Sequence, residues 1–418
     1  MGETDSGAGL RGVFQYRDFA WFWTAALISN SANWLQNVVV PFLMLELTDS
    51  NGWVGLASFA SLFPAFLLTP IAGVLSDRLP RRLILLTTQS VQGLVAVAYL
   101  VLFQTGELDR GWIILLQFVS GISAGFQVST WQAFVPLLVP RQYLLTAVRL
   151  NSIQFTLARA LGPLAAILLL GVFGTGFAFA ANAVTFALVA AAVAVARPRQ
   201  VPGVAASDPI REVFREGVRY VRGHASLRQA ALTGFVISFL GQPLAFALAP
   251  GLSDQIYDRG DTGQRLLLLA LGAGALLISV WILRRGDRIL RSRQAVVGLA
   301  VYATGVFVVG LTPWFAVGMV GFFLNGMAHL SVAVATNTSL QLQVDDSIRG
   351  RVVSIYVLGV LGGLPMGALV GGLLADAVGL RPVIMTMGLL MALYTAWSIF
   401  RFDRLQAFDA DRLPLPGS

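Results

Sequence analysis

Runs of roughly 20 apolar residues, the length needed to cross a bilayer core, recur along the whole chain with short polar punctuation between them. No other feature limits the fold as strongly. Twelve runs are read, at residues 19–47, 54–75, 83–103, 112–138, 150–170, 176–196, 230–252, 266–283, 295–311, 314–337, 352–378 and 383–400. They are apolar on every face rather than alternating, and a backbone in lipid must satisfy its own polar groups, so helices are expected and strands are not. The composition agrees: 56% of the 418 residues are hydrophobic, 12% are charged and the mean hydropathy is +0.74, which excludes a soluble globular fold. The expected class is an all-α integral membrane protein with twelve transmembrane helices.

Several kinds of chemistry are excluded by residue type. The chain has no cysteine, which removes disulfides, thiolate metal sites and cysteine nucleophiles. His224 and His329 are its two histidines, and all 29 basic residues are arginine, so lysine-dependent catalysis and phosphate binding are absent too. No cofactor or metal is expected. An embedded enzyme could draw only on Asp345 and Asp346, which stand in a loop beside Arg349 and Arg351 without a histidine cluster or nucleotide loop. That reading is set aside in favour of a protein that is not an enzyme.

The arginines fix an expected orientation. With the amino terminus inside, 24 of the 29 fall on the cytoplasmic side, four (Arg110, Arg259, Arg265, Arg381) fall outside, and Arg159 lies within a span. Such asymmetry implies an even number of spans with both termini cytoplasmic, and it accounts for the net charge of +8 without nucleic acid. The first apolar run is too long for a signal-peptide core and is expected to stay as a helix.

Residues 197–228 form the one long polar interruption and divide the chain, giving expected units of 1–196, 197–229, 230–400 and a tail of 401–418. Within the interruption Asp208 and Pro209 are read as the start of an amphipathic helix, with Ile210, Val213, Phe214, Val218 and Val221 on one face and Arg211, Arg215, Arg219 and Arg222 elsewhere. A helix lying on the inner membrane surface is expected there. The sequence Asp77-Arg78-Leu79-Pro80-Arg81 returns as Asp287-Arg288-Ile289-Leu290-Arg291, an offset of 210 in a chain whose half-length is 209. Two duplicated six-helix halves are read from this echo.

The residues resemble the major facilitator superfamily, in its branch of bacterial drug, macrolide and siderophore exporters related to the enterobactin exporter. The most specific match is Gly73-Val74-Leu75-Ser76-Asp77-Arg78-Leu79-Pro80-Arg81-Arg82, the superfamily's loop motif with Pro80 in place of glycine. Further matches are Leu47-Thr48-Asp49-Ser50, Arg159-Ala160-Leu161-Gly162-Pro163, the segment from Arg215 to Arg222, and Ile348-Arg349-Gly350-Arg351-Val352. Ala165 and Ala166 stand where the antiporter version of the fifth-span motif has glycines. The resemblance implies two pseudo-symmetric halves, alternating access, a place in the bacterial inner membrane and a monomer working on a small-molecule substrate within the lipid bilayer. It also makes the eleventh span the partner of Asp77: a carboxylate near the membrane surface can face the positive N-terminal end of another helix. Gly73 would permit close approach, and Arg78, Arg81 and Arg82, with Asp287, Arg288 and Arg291 in the second half, would complete the gate.

Polar residues inside spans are costly and so point to function. The first span carries Asn30, Asn33, Trp34 and Asn37 at helical spacing. The fourth adds Gln127 and Trp131, the seventh Gln242, and the tenth Asn325, His329 and Thr336; these four spans line the central cavity in the resembled fold. Arg159 near the middle of the fifth span needs a partner, and both gating and substrate contact are open to it. Glu46 and Asp376 stand too near the ends of their helices to serve. With no acid at the midplane, His329, titratable near neutral pH, is the candidate for proton coupling. The glycine series Gly363, Gly367, Gly371 is read as a seam for close helix contact. The function expected is export of a small amphipathic organic compound driven by the proton gradient, with an importer of a metabolite or lysolipid as the alternative.

Overall fold

The computed structural model describes residues 12–198, 210–285, 289–344, 349–401, 405 and 407–409. Among them every regular element is helical. In chain order the helices are α1 (Arg17–Thr48), α2 (Asn51–Arg78), α3 (Arg81–Thr105), α4 (Arg110–Phe134), α5 (Leu144–Phe173), α6 (Thr175–Val195), α7 (Ile210–Gly223), α8 (Ala225–Val236), α9 (Gly260–Arg285), α10 (Arg291–Leu311), α11 (Phe315–Gln343), α12 (Arg349–Val378) and α13 (Leu380–Phe400). Their ends follow local rules. Asp109 caps α4 by accepting from Trp112 N at 2.8 Å, Gly106 closes α3 at φ +74°, and Gly379 separates α12 from α13 at φ +93°.

Among the described residues ten helical stretches are long and apolar enough to cross a membrane. α1 and α5 stand outside that group although they run to 32 and 30 residues. Asn30, Asn33, Gln36 and Asn37 lower the hydropathy of α1.

The seventh run departs from the regular helix expected. After α8 the backbone widens into a π-helical segment, Ile237–Gly241, passes through short turns at Pro243–Phe246 and Ala249–Gly251, and widens again over Leu252–Ile256. Pro243 and Pro250 lack the N–H that an α-helix requires, and the chain answers with bonds five residues back, Gln242 N to Ile237 O at 3.2 Å and Leu248 N to Pro243 O at 2.9 Å.

The helices gather into two compact units, residues 1–40 with 63–207 and residues 41–62 with 208–418. In the first, Phe22, Trp131 and Phe134 form the aromatic centre of a buried cluster, and Tyr99 stacks on Phe179 with centroids 5.0 Å apart while donating to Ile113 O. Trp23 Nε1 donates to Leu150 O at 2.9 Å and ties α1 to α5.

In the second unit α11 packs on α9 and α10, and α10 on α13, around a core containing Tyr302, Phe322 and Met391. The expected seam on α12 is present at two of its three glycines: a Cβ at Gly363 would come within 2.9 Å of Phe235 O and one at Gly367 would meet Phe239 O, whereas one at Gly371 would meet only the side-chain ends of Met387 and Leu248. α7 turns Val221 into a cluster with Leu227, Val352 and Tyr356 while Arg215, Arg219 and Arg222 stay exposed, so its apolar face is covered in part by protein. Asp208 and Pro209 lie outside the described residues. Leu405 and Phe408 are buried in the same cluster, so this part of the tail is docked.

Candidate functional site

α1 orients its amides by the roughly 100° turn between successive residues, which sends Asn33 and Gln36 toward α6 and leaves Asn37 exposed. Asn182 on α6, fully buried, donates to Gln36 Oε1 at 2.7 Å and lies 3.5 Å from Asn33 Oδ1. A buried amide is costly unless partnered, which is the reason for this three-residue group. Asn30 keeps a buried Nδ2 without a hydrogen-bond partner. Trp34 sits against Gly162 of α5, where a Cβ would collide with its ring. Gln127 is half-buried. Trp131 is 3% exposed, donates from Nε1 to Asn151 Oδ1 at 3.0 Å and packs 4.6 Å from Phe22, centroid to centroid. Its environment is the interior of the first unit.

In the second unit Gln242 follows the π-helical segment and donates to Ser238 Oγ at 3.2 Å. The widened backbone at Gly241 receives the ring end of Tyr302, whose hydroxyl lies 3.5 Å from His329 Nδ1 with the rings edge to face. The structure thus brings His329 beside the break in the seventh run. Asn325, one turn before His329 on α11, is 2% exposed and neither side-chain atom has a hydrogen-bond partner. Thr336 on the same helix pairs with the Tyr356 hydroxyl at 3.0 Å.

Of the gate residues, Arg81 Nη1 donates to Ala133 O at 3.3 Å, and Arg82 donates from Nε to Val193 O at 3.1 Å and from Nη2 to Ala194 O. These carbonyls end α4 and α6, where a cation is favoured by the helix dipole. Both arginines therefore join helices within the first unit. Gly73, Asp77 and Arg78 lie on the last turns of α2, and Arg159 lies on α5; their side chains, with Asp287 and Arg288, fall outside the described residues. Arg291 is 6% exposed, and its Nη1 donates to Phe408 O at 3.0 Å.

Asp409 supplies what α10 lacks at its own start. Its carboxylate accepts from Arg291 N at 2.7 Å, Ser292 N at 3.3 Å and Ser292 Oγ at 2.5 Å, a cap delivered from more than 100 residues away.

Reading the spans by motif passed over Gln89 on α3 and Gln154 on α5, each at most 1% exposed with both amide atoms unpartnered, and also Gln36 and Asn182. A uniform survey for amides in apolar runs would have found all four. Among the described residues no three of His, Cys, Asp and Glu gather as a metal site. A crevice lined by Ile278, Trp281, Val297, Val301 and Met327 with Arg293 contains none of the predicted cavity residues.

Long apolar helices with amides placed inside them define a multi-pass membrane protein. The chain belongs to the transmembrane secretion effector family of the major facilitator superfamily, which it matches over residues 12–416. It is similar to the multidrug efflux pump Tap of Mycolicibacterium fortuitum, with 26% identity over 93% of this chain and 97% of that one. Macrolide efflux protein A of Streptococcus pyogenes is 22% identical over 89% of this chain and 93% of its own. In fold it is similar to a bacterial homologue of the human lysosomal transporter Spinster, in its inward-facing, unoccupied crystal structure, with a TM-score of 0.70 and 15% identity over 95% of this chain and 99% of that one. The protein is a transporter and not an enzyme.

Proposed function

We propose that the protein exports small amphipathic organic compounds, of the drug, macrolide or siderophore kind, by alternating access driven by the proton gradient. The observation that carries this reading is the family match along nearly the whole chain, with efflux proteins among the relatives. The substrate would meet Asn30, Asn37, Gln127, Gln242 and Asn325, amides that can accept and donate without a fixed charge. Two of these bring unpartnered buried atoms, Asn30 Nδ2 and both amide atoms of Asn325, which a ligand or water could satisfy. Arg159 would serve the gate or an anionic substrate group. His329 would carry the coupled proton, its ring close enough to the Tyr302 hydroxyl for that contact to change with charge.

The test is uptake into inverted membrane vesicles or proteoliposomes under an imposed pH gradient, with macrolides, other amphipathic drugs and ferric siderophores in parallel. Export predicts accumulation that collapses with a protonophore; His329→Gln is expected to retain substrate binding and flatten the pH dependence. Accumulation that ignores the protonophore would remove the proton as driver, and unchanged pH dependence in His329→Gln would remove the histidine.

Counting α1 and α5 with the ten apolar stretches gives the twelve spans of this reading, and the arginine asymmetry supports an orientation with both termini in the cytoplasm of a bacterial inner membrane. The cysteine-free chain makes the orientation directly testable. Thr105 and Gln142 are exposed and serve as labelling positions. A cysteine at Thr105 should react with an impermeant maleimide from outside, and one at Gln142 only after permeabilisation. The reverse pattern would invert the topology.

A further inference from the structure

The start of α2 is held by a residue 325 positions away. Asp376, on the last turns of α12, accepts from Asn51 N at 2.8 Å through Oδ1 and from Gly52 N at 3.1 Å and Ser50 Oγ at 2.5 Å through Oδ2. Ser50 Oγ in turn accepts from Trp53 N at 3.2 Å. The orphan N–H groups of this helix end are thus satisfied jointly by its own serine and by a carboxylate from another helix. The turn that precedes it is tight, with Asp49 at φ +47°, and is tied to the segment after the seventh run: Asn51 Nδ2 donates to Gln255 Oε1 at 3.0 Å, and Gln255 Nε2 reaches Asp49 Oδ1 at 3.4 Å.

The two helices are shaped for this contact. Ala368, Gly372 and Asp376 recur every four residues on one face of α12. A Cβ at Gly372 would strike Asn51 O, and one at Gly55 would strike Ala368 O, so backbone meets backbone below the carboxylate. Asn51 is buried at 3% exposure, whereas Asp376 is exposed. Water is therefore available to replace each of the carboxylate's partners, and the bond set is one that can be opened and closed.

Asp49 and Ser50 join the first two spans, residues 51–55 open α2, and Asp376 stands in the last turn of the eleventh span. In the orientation proposed above, both lie at the outer face. We propose that Asp376 is a gating residue: its carboxylate latches the start of α2 in the outer-closed state, and the outer face opens only when Asn51 N, Gly52 N and Ser50 Oγ exchange it for water. This rests on the alternating-access reading, since a protein with one conformation would need no releasable latch. It assigns to Asp376 a role that its distance from the midplane hides, because a gate acts at the end of a helix and not at its centre.

The experiment measures the gate without substrate. Spin labels at Leu47→Cys and Val378→Cys, positions 46% and 60% exposed at the ends of α1 and α12, report the separation of the two elements by pulsed dipolar spectroscopy in nanodiscs. Asp376→Asn keeps the shape but loses the charge at the helix end, and is expected to raise the long-distance population relative to the short one about threefold. Ser50→Ala, which leaves Asp376 in place, should shift the distribution the same way, and the double variant should add little to either. Transport of whichever substrate the wild type moves should fall in Asp376→Asn while the monodisperse yield is kept. An unchanged distance distribution in both single variants would overturn the latch even if transport falls. A wild type that moves no tested compound would count against the exporter reading alone, since the distance shift needs no substrate.

Discussion

Replacing Gly367 with leucine is expected to leave little folded protein in the membrane. The atoms that a side chain would meet there are Phe239 O, part of the backbone of the π-helical segment, and Pro243 Cγ at 2.7 Å, and neither can rotate away. Overpacking in close-packed interiors costs about 1 to 3 kcal/mol where side chains can adjust, and a clash with two rigid groups belongs at the upper end. Two neighbours on α12 serve as controls. A Cβ at Gly359 would find Ala231 O at 3.5 Å, ordinary contact, so Gly359→Ala should behave as wild type. At Gly371 the nearest atom is the flexible Met387 Cε at 2.7 Å, so Gly371→Ala should cost little. The readout is the melting temperature and monodisperse fraction of detergent-solubilised protein, and a Gly367→Leu variant as stable as Gly359→Ala would show that α12 and the seventh run do not meet as described.

Trp131→Ala should be the most damaging change among the predicted cavity residues, and through stability rather than affinity. Truncating a buried tryptophan costs about 3 to 5 kcal/mol, and here it also strands the Asn151 carbonyl oxygen that Nε1 satisfies at 3.0 Å. Trp131→Phe should restore most of the packing on Phe22 and lose chiefly the hydrogen bond, about 1 kcal/mol. Thermal unfolding and substrate binding measured on the same samples separate the two roles. A tryptophan that contacted substrate would give an unchanged melting point and a weakened affinity in Trp131→Ala.

The sequence foretells the helices better than their partnerships. Apolar runs of membrane length have one solution in lipid, whereas the stripe Asn30, Asn33, Asn37 divides: Asn30 and Asn33 are half-buried and Asn37 is exposed. What spacing does not reveal is which neighbour a stripe meets. Asn33 reads as a cavity amide until Asn182 of α6 is seen beside it and Gln36. The widening of the seventh run has a visible cause in Pro243 and Pro250, but the Tyr302 ring and the α12 backbone that lie against it come from distant parts of the chain and leave no local sign. Distance from the midplane hides Asp376 from a reading of the spans. Its three donors come from the far end of another helix, and no local pattern around residue 376 announces them.

The docked tail has a practical meaning for anyone attaching a reporter to this protein. Asp409 is completely buried and supplies the start of α10 with its cap, so residues 407–409 are a structural part and not a handle. A fluorescent fusion or affinity tag joined before residue 410 would tear out that cap and the Phe408 carbonyl that receives Arg291, whereas one joined after the final serine would leave both in place. A truncation series should accordingly show a step in expression between variants that keep Asp409 and those that lose it.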